Sequence, residues 1–200
     1  MPDDHAALGP VAAVAERYVE QLATLHPILA THLGVPGHEH EIDDLSPAGV
    51  AASETLLRET LADLAAAEPG DDRERTAAAL MQERLALELE RHEVGLPYGD
   101  LNVLASAPQD LRQIFDLMPT GTAEERAAVR DRLVALPAAL AGLAETYREG
   151  VRRGVVPARR QVAEVAAQCR RWAGLEGAPG FFSTFAASLG DGDDLDGPAA

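Results

Sequence analysis

Between Thr122 and Gly154 the chain reads TAEERAAVRDRLVALPAALAGLAETYREGVRRG. Val129, Leu133, Leu136, Leu140, Leu143, Tyr147 and Val151 recur at alternating steps of four and three, the one-face period of an α-helix. The stripe keeps its phase through Pro137, so the spacing predicts one long helix over about residues 123–153, kinked at the proline. Thr122 and Glu125 stand at capping-box spacing at its start. A helix of this length with an apolar stripe has to bury that stripe on other elements, which makes it the core member of an all-helical assembly.

The remaining patterns supply those elements. Pro10 opens a helix with the stripe Val11, Val14, Tyr18, Leu22 and Leu25, interrupted at His26-Pro27 because a residue before proline avoids the helical region. A short continuation, Ile28 to Leu33, stops at Gly34, a left-handed cap. The segment Val35 to Leu45 has proline, glycine and charge but no period and reads as a loop. Ser46-Pro47 is a helix start, with Val50, Leu57, Leu61 and Leu64 on its buried face. After Glu68-Pro69-Gly70, Asp71 and Asp72 can cap a helix carrying Ala78, Met81, Leu85 and Leu89, its face widened by Leu80 and Leu87. The two helices are expected to form an antiparallel hairpin. Leu101 to Leu104 fits either an extended piece or one helical turn. Ser106 and Gln109 have capping-box spacing at the start of a helix that closes near Met118-Pro119. Beyond Gly154, Val162, Val165, Cys169 and Trp172 mark one more helix face ending at Gly174, and Phe181, Phe182 and Phe185 a short last helix.

The fold class expected is therefore all-α, an array of antiparallel helical hairpins around one long kinked helix. Residues 1–9 are expected to be flexible, 10–189 to form one helical domain, and 190–200 to be a disordered acidic tail. No internal repeat of fixed period is present.

Aromatic residues make up only 4% of the chain and its net charge is −16. The first leaves little to stack on bases and the second repels phosphates, so nucleic acid is not an expected partner. No apolar run approaches the roughly 20 residues of a membrane span, and the N-terminus has no basic-then-apolar leader. One cysteine, Cys169, excludes an internal disulfide framework and fits a reducing, cytoplasmic compartment.

Few residues look chemical. His38-Glu39-His40-Glu41 has metal-like composition, but it lies in a loop and lacks the three or four ligands of a zinc site. No phosphate loop, dinucleotide fingerprint, zincin helix or Gly-x-Ser-x-Gly elbow occurs. Cys169 falls on an apolar stripe, the place of a small core residue. No residue is assigned a catalytic or metal-binding role. What stands out is six arginines in pairs: Arg152 and Arg153, Arg159 and Arg160, Arg170 and Arg171. Arg152 and Arg153 suit a helix C-terminus, whereas Arg159 and Arg160 open a helix, which costs about 0.3–1 kcal/mol each. Ion pairs would offset that, and a bound anion would also. Arg152, Arg153, Arg159 and Arg160 are the candidate anion-binding residues.

Three stretches carry a resemblance. ERYVEQLATLHPILATHLGVPGHEHEIDDLSPAG, DLNVLASAPQDLRQIFDLMP and LPAALAGLAETYREGVRRGVVPARRQV, in this order and spacing, resemble the N-terminal portion of bacterial proteins of the domain-of-unknown-function 885 family. The resemblance implies a mostly helical protein, usually well over twice this length, regarded as a zinc metallopeptidase-like hydrolase. Its His- and Glu-containing metal motif lies far toward the C-terminus and has no counterpart here. No metal or catalytic residue carries over, and zinc is implied for full-length relatives only. His26 stands where relatives often have Asp before Pro, which removes a helix cap.

Whether the chain is an enzyme is left open. The first expectation is the helical N-terminal portion of such a hydrolase, not catalytic by itself, shaping a cleft that a C-terminal catalytic region completes around a peptide-like substrate. It would show an exposed apolar face. The alternative is a self-contained, non-catalytic helical binding domain; a third reading is a small metal- or anion-binding protein using His38 and His40 or the arginine pairs. Oligomeric state and substrate are not specified by these residues.

Overall fold

The computed structural model describes residues 9–189; the expectations for residues 1–8 and 190–200 lie outside them. The architecture is all-α, with no strand among the described residues. In chain order the helices are α1 (Pro10–Leu25), α2 (Pro27–Leu33), α3 (Pro47–Ala66), α4 (Asp72–Glu93), α5 (Ala107–Leu117), α6 (Ala123–Arg153), α7 (Arg159–Trp172) and α8 (Phe181–Ser188), with a single 3-10 turn at Leu96–Tyr98.

Local chemistry sets many of these boundaries. Ser46 accepts from the Ala48 and Gly49 amides at the start of α3, and Asp71 accepts from the Glu74 amide at the start of α4. Both halves of the Thr122–Glu125 capping box are formed. Gly34 and Gly154 close α2 and α6 with φ near +72° and +75°, a conformation that glycine enters without a Cβ clash.

Two helices have no cap of their own and take one from a distant acid. Glu74 of α4 accepts from the Val11 and Ala12 amides at 3.2 and 3.3 Å, placing negative charge at the positive end of α1. Asp43 Oδ1 accepts from the Ile28 amide at 2.8 Å, filling the place His26 leaves empty at the start of α2.

The core forms in two clusters. Val11, Val14, Leu57, Leu64 and Leu85 join α1, α3 and α4. Ile28, Leu111, Ile114, Phe115, Val129 and Leu136 join α2, α5 and α6, with the three phenylalanines of α8 packed against them. The Phe115 ring meets Phe182 edge-on at 6.0 Å.

The long helix runs unbroken through Pro137, which is exposed, although the Leu133 carbonyl loses its helical amide donor there. Its buried stripe is not the one read from the spacing. Val129, Leu136 and Leu143 are buried, but Arg132 and Ala139 alternate with them, and Thr146 and Gly150 continue the stripe. Leu140 and Val151, assigned to the stripe, are exposed. The cause is what α6 packs against: loop backbone as much as helix. Thr146 donates to the Leu45 carbonyl at 2.7 Å, and the Ser46 backbone crosses at Gly142. At Gly150 a Cβ would meet the Tyr98 carbonyl oxygen and come within 2.7 Å of that of Val155. Small and polar residues satisfy loop carbonyls where leucine cannot.

Four other expectations are corrected. Leu80 and Leu87 do not widen the buried face of α4 but are exposed, because α4 packs on α1 and α3 from one side. Val162 of α7 is also exposed; α7 docks instead through Val165 and two glutamines. Gln161 accepts from the Val103 amide and Gln168 donates to the Val103 carbonyl. The Ser106–Gln109 spacing makes no capping box: the Ser106 hydroxyl faces Asn102 and the Gln109 side chain. Leu101 to Leu104 is neither strand nor helix but a bend, in which the Asn102 side chain accepts from the Leu104 and Ala105 amides.

Candidate functional site

Where the two core clusters meet, residues of α1 to α6 line a partly open cavity of about 620 Å³, within the size range of small-molecule sites. Its walls include Leu22, Ile28, Leu57, Leu111 and Leu143, and its polar groups include three imidazoles, His26, His32 and His92. Asp43, Asp44, Asp100 and Asp110 bring negative charge to the lining, and its one arginine, Arg91, is paired with Glu88, another lining residue.

One wall is built on the loop from Val35 to Leu45. Arg132 reaches from α6 into this loop and is 0% exposed. Its Nε donates to the Glu41 carbonyl at 2.7 Å, and Nη2 lies within hydrogen-bond distance of the Pro27 and His38 carbonyls and the Thr31 hydroxyl. Burial pulls its pKa down, opposed by the nearby Asp43, Glu39 and Glu41 charges. A guanidinium, which stays charged, thus holds the loop by its carbonyls.

That clamp fixes Asp43 beside His26. Asp43 Oδ1 caps α2, and Oδ2 lies 3.4 Å from His26 Nδ1. On the other edge of the ring, His26 Nε2 lies 3.0 Å from the Ser53 hydroxyl on α3. With Nδ1–H turned to Asp43, Nε2 accepts the Ser53 proton; the hydroxyl also sits 3.1 Å from the Gly49 carbonyl, to which it donates in its other rotamer. Serine, histidine and aspartate from three elements therefore stand in sequence along one wall of the cavity.

Burial shifts some of the titratable groups in the lining. His92 has its pKa lowered, chiefly by desolvation, and its Nδ1 is buried without a partner among the described residues. Asp110 has its pKa raised, first by burial and then by Asp43 and Asp100, with His32 acting the other way. The Tyr147 phenol is pushed strongly upward, again mainly by burial.

The arginine pairs lie elsewhere, since none of them lines the cavity. Glu149 takes both Arg152 and Arg153, at 2.7 and 2.8 Å, and their hydrogen bonds draw its pKa down. The Arg153 guanidinium also lies over the Tyr98 ring at 3.9 Å. Arg159 and Arg160 are exposed and have no ion pair among the described residues. The turn thus brings the four near one another in sequence but ties only the first two.

The zinc that the resemblance implies for longer relatives finds no donor set here. His38 is paired with Glu41 at 3.2 Å and His40 with Asp131 at 2.6 Å, so the two imidazoles serve separate acids. Among the described residues no group of three or more His, Cys, Asp or Glu side chains is placed to hold a metal, and no helix is long and apolar enough to cross a membrane. Cys169 is half-buried on α7 and its thiol pKa is raised by burial.

Sequence reading passed over Arg132, Asp43 and Ser53, and took His26 only as a helix break lacking a cap. Only the His26-Pro27 helix break signalled anything, and no spacing ties it to Asp43 or Ser53. Residues 27–198 match the model of a family described as bacterial protein of unknown function, DUF885. No curated protein matches the chain.

Proposed function

We propose, since the chain belongs to this bacterial family of unknown function, that it is the helical N-terminal portion of a zinc metallopeptidase-like hydrolase and forms one wall of a substrate cleft. The observation that carries this reading is the cavity of about 620 Å³, apolar along its walls and lined by imidazoles and carboxylates. Such a surface holds a peptide-like molecule by its side chains and leaves the metal to a C-terminal region. A cytoplasmic setting suits the single half-buried thiol, and the acidic charge disfavours nucleic acid and anionic membranes as partners.

The test is to read the gene beyond Ala200 and to express the chain with whatever follows. An in-frame continuation carrying a His-Glu metal motif, with zinc-dependent peptide hydrolysis by the joined protein, supports the proposal. A stop codon with no such sequence nearby refutes it and favours a self-contained binding domain, for which the two core clusters closed by the chain's own helices already speak.

A further inference from the structure

We propose that Ser53, His26 and Asp43 constitute a nucleophilic site for carboxylic esters, an activity beyond the cleft role above. Four features of the geometry carry it. The Ser53 hydroxyl lies 3.0 Å from His26 Nε2, within reach of a general base. The opposite ring nitrogen faces Asp43 at 3.4 Å, which selects the tautomer whose Nε2 is free to accept a proton. Asp43 is itself fixed, by the Ile28 amide at 2.8 Å. All three residues line the same cavity, so a substrate bound there meets the hydroxyl rather than bulk solvent.

The chemistry balances with water as the only co-reactant. Ser53 Oγ attacks the ester carbonyl carbon while its proton passes to His26 Nε2. The carbon–oxygen bond to the leaving alcohol breaks, and that oxygen takes the proton from His26. Water then attacks the acyl-serine, gives a proton to His26, and releases the carboxylic acid as Ser53 recovers its proton. Ser53 and His26 are the catalytic residues; Asp43 is a positioning residue.

Two features set the substrate class. Leu56, Leu57 and Val50 flank Ser53 in the cavity lining and suit a small apolar acyl group. Asp44, Asp100 and Asp110 in the same lining repel anions, so the ester is neutral or cationic. Ser53 sits inside α3, where backbone amides are spent on the helix, so no pair of amides is left over to hold the developing oxyanion. Base catalysis alone contributes roughly 10²–10⁴-fold, and the activity is accordingly slow and confined to esters of good leaving groups.

The experiment uses the 200-residue chain and p-nitrophenyl acetate. The chain has no lysine and six histidines, and burial raises the pKa of its one thiol; imidazoles and the N-terminal amine also react with this ester, so the position of the acetyl group decides the outcome. The expected result is a burst of nitrophenolate with an acetyl group located on Ser53 by peptide mass spectrometry. Ser53→Ala abolishes the burst, and Thr55→Ala on the same helix leaves it unchanged. Asp43→Asn keeps an oxygen for the Ile28 amide but presents an amide N–H to the ring, so kcat falls at least about tenfold with KM unchanged. An acetyl group found only on other residues, no acetylation at all, or an undiminished burst in Ser53→Ala overturns the proposal. Binding of the inert p-nitroacetanilide to the cavity, without acylation of Ser53 by the ester, leaves the cleft reading standing and removes this one alone.

Discussion

Replacing Arg132 with Met tests whether a buried cation organises the Val35–Leu45 loop. Methionine is unbranched and of comparable bulk, so packing alone predicts a loss below about 1.5 kcal/mol. Arginine Nε donates to the Glu41 carbonyl, and the two Nη2 protons are shared among the Pro27 and His38 carbonyls and the Thr31 hydroxyl, three bonds of a kind that contributes about 1.5–3 kcal/mol each, while Nη1 is buried without a partner among the described residues. Burying the guanidinium costs several kcal/mol and offsets most of that sum. Pro27 and His38 carbonyls keep other donors, Thr31 Oγ1 and the Glu41 amide respectively. The Glu41 carbonyl has no second donor among the described residues and is stranded, at about 1–3 kcal/mol. The net expectation is a loss of about 2–4 kcal/mol, a large share of the 5–15 kcal/mol or so that a domain possesses. Urea unfolding followed by far-ultraviolet circular dichroism measures it, and hydrogen exchange should show loop amides 35–45 opening first. Arg132→Lys should cost at least as much, since one compact ammonium cannot span the same acceptors. A loss under about 0.5 kcal/mol for Arg132→Met, or unchanged exchange in the loop, refutes the clamp.

Gly150→Ala should lower stability by about 1–3 kcal/mol in the same assay, because its Cβ meets the Tyr98 and Val155 carbonyl oxygens; helix propensity alone predicts a gain of roughly 1 kcal/mol, so the sign decides. Glu74→Ala should cost about 1 kcal/mol and speed exchange at the Val11 and Ala12 amides, which its carboxylate caps. His92 has a lowered pKa in the folded chain, so below the ordinary histidine value the unfolded state binds more protons. Wild-type stability should therefore fall, relative to His92→Gln, as pH drops from the ordinary histidine value toward the lowered one; parallel unfolding curves across that window would contradict this.

The helices were legible because their signals are local. Pro10, Ser46, Asp71 and Thr122 mark starts through chemistry confined to one turn, and the four residues indeed stand at the ends of α1, α3, α4 and α6. What escaped was every element whose partner is backbone from another part of the chain. An apolar period identifies Leu136 and Leu143 but cannot announce that Arg132 before them, and Thr146 and Gly150 after them, face loop carbonyls. The borrowed caps are hidden for the same reason: Glu74 and Asp43 read as two more acids among 33, and only the fold brings them to the starts of α1 and α2.

The candidate site follows from that hidden layer. His26 falls at a helix break because Pro27 forbids the preceding residue a helical conformation, and the break turns its ring toward both Asp43 and Ser53. Asp43 can serve α2 and the ring at once because it has two oxygens, and it stays in place because Arg132 holds its loop. Loop order and relay geometry are thus one mechanical unit. Arg132→Met, which touches none of the three relay residues, should therefore reduce acylation of Ser53 under folding conditions by more than its effect on the folded fraction. Acylation that merely tracks the folded fraction would separate the clamp from the site.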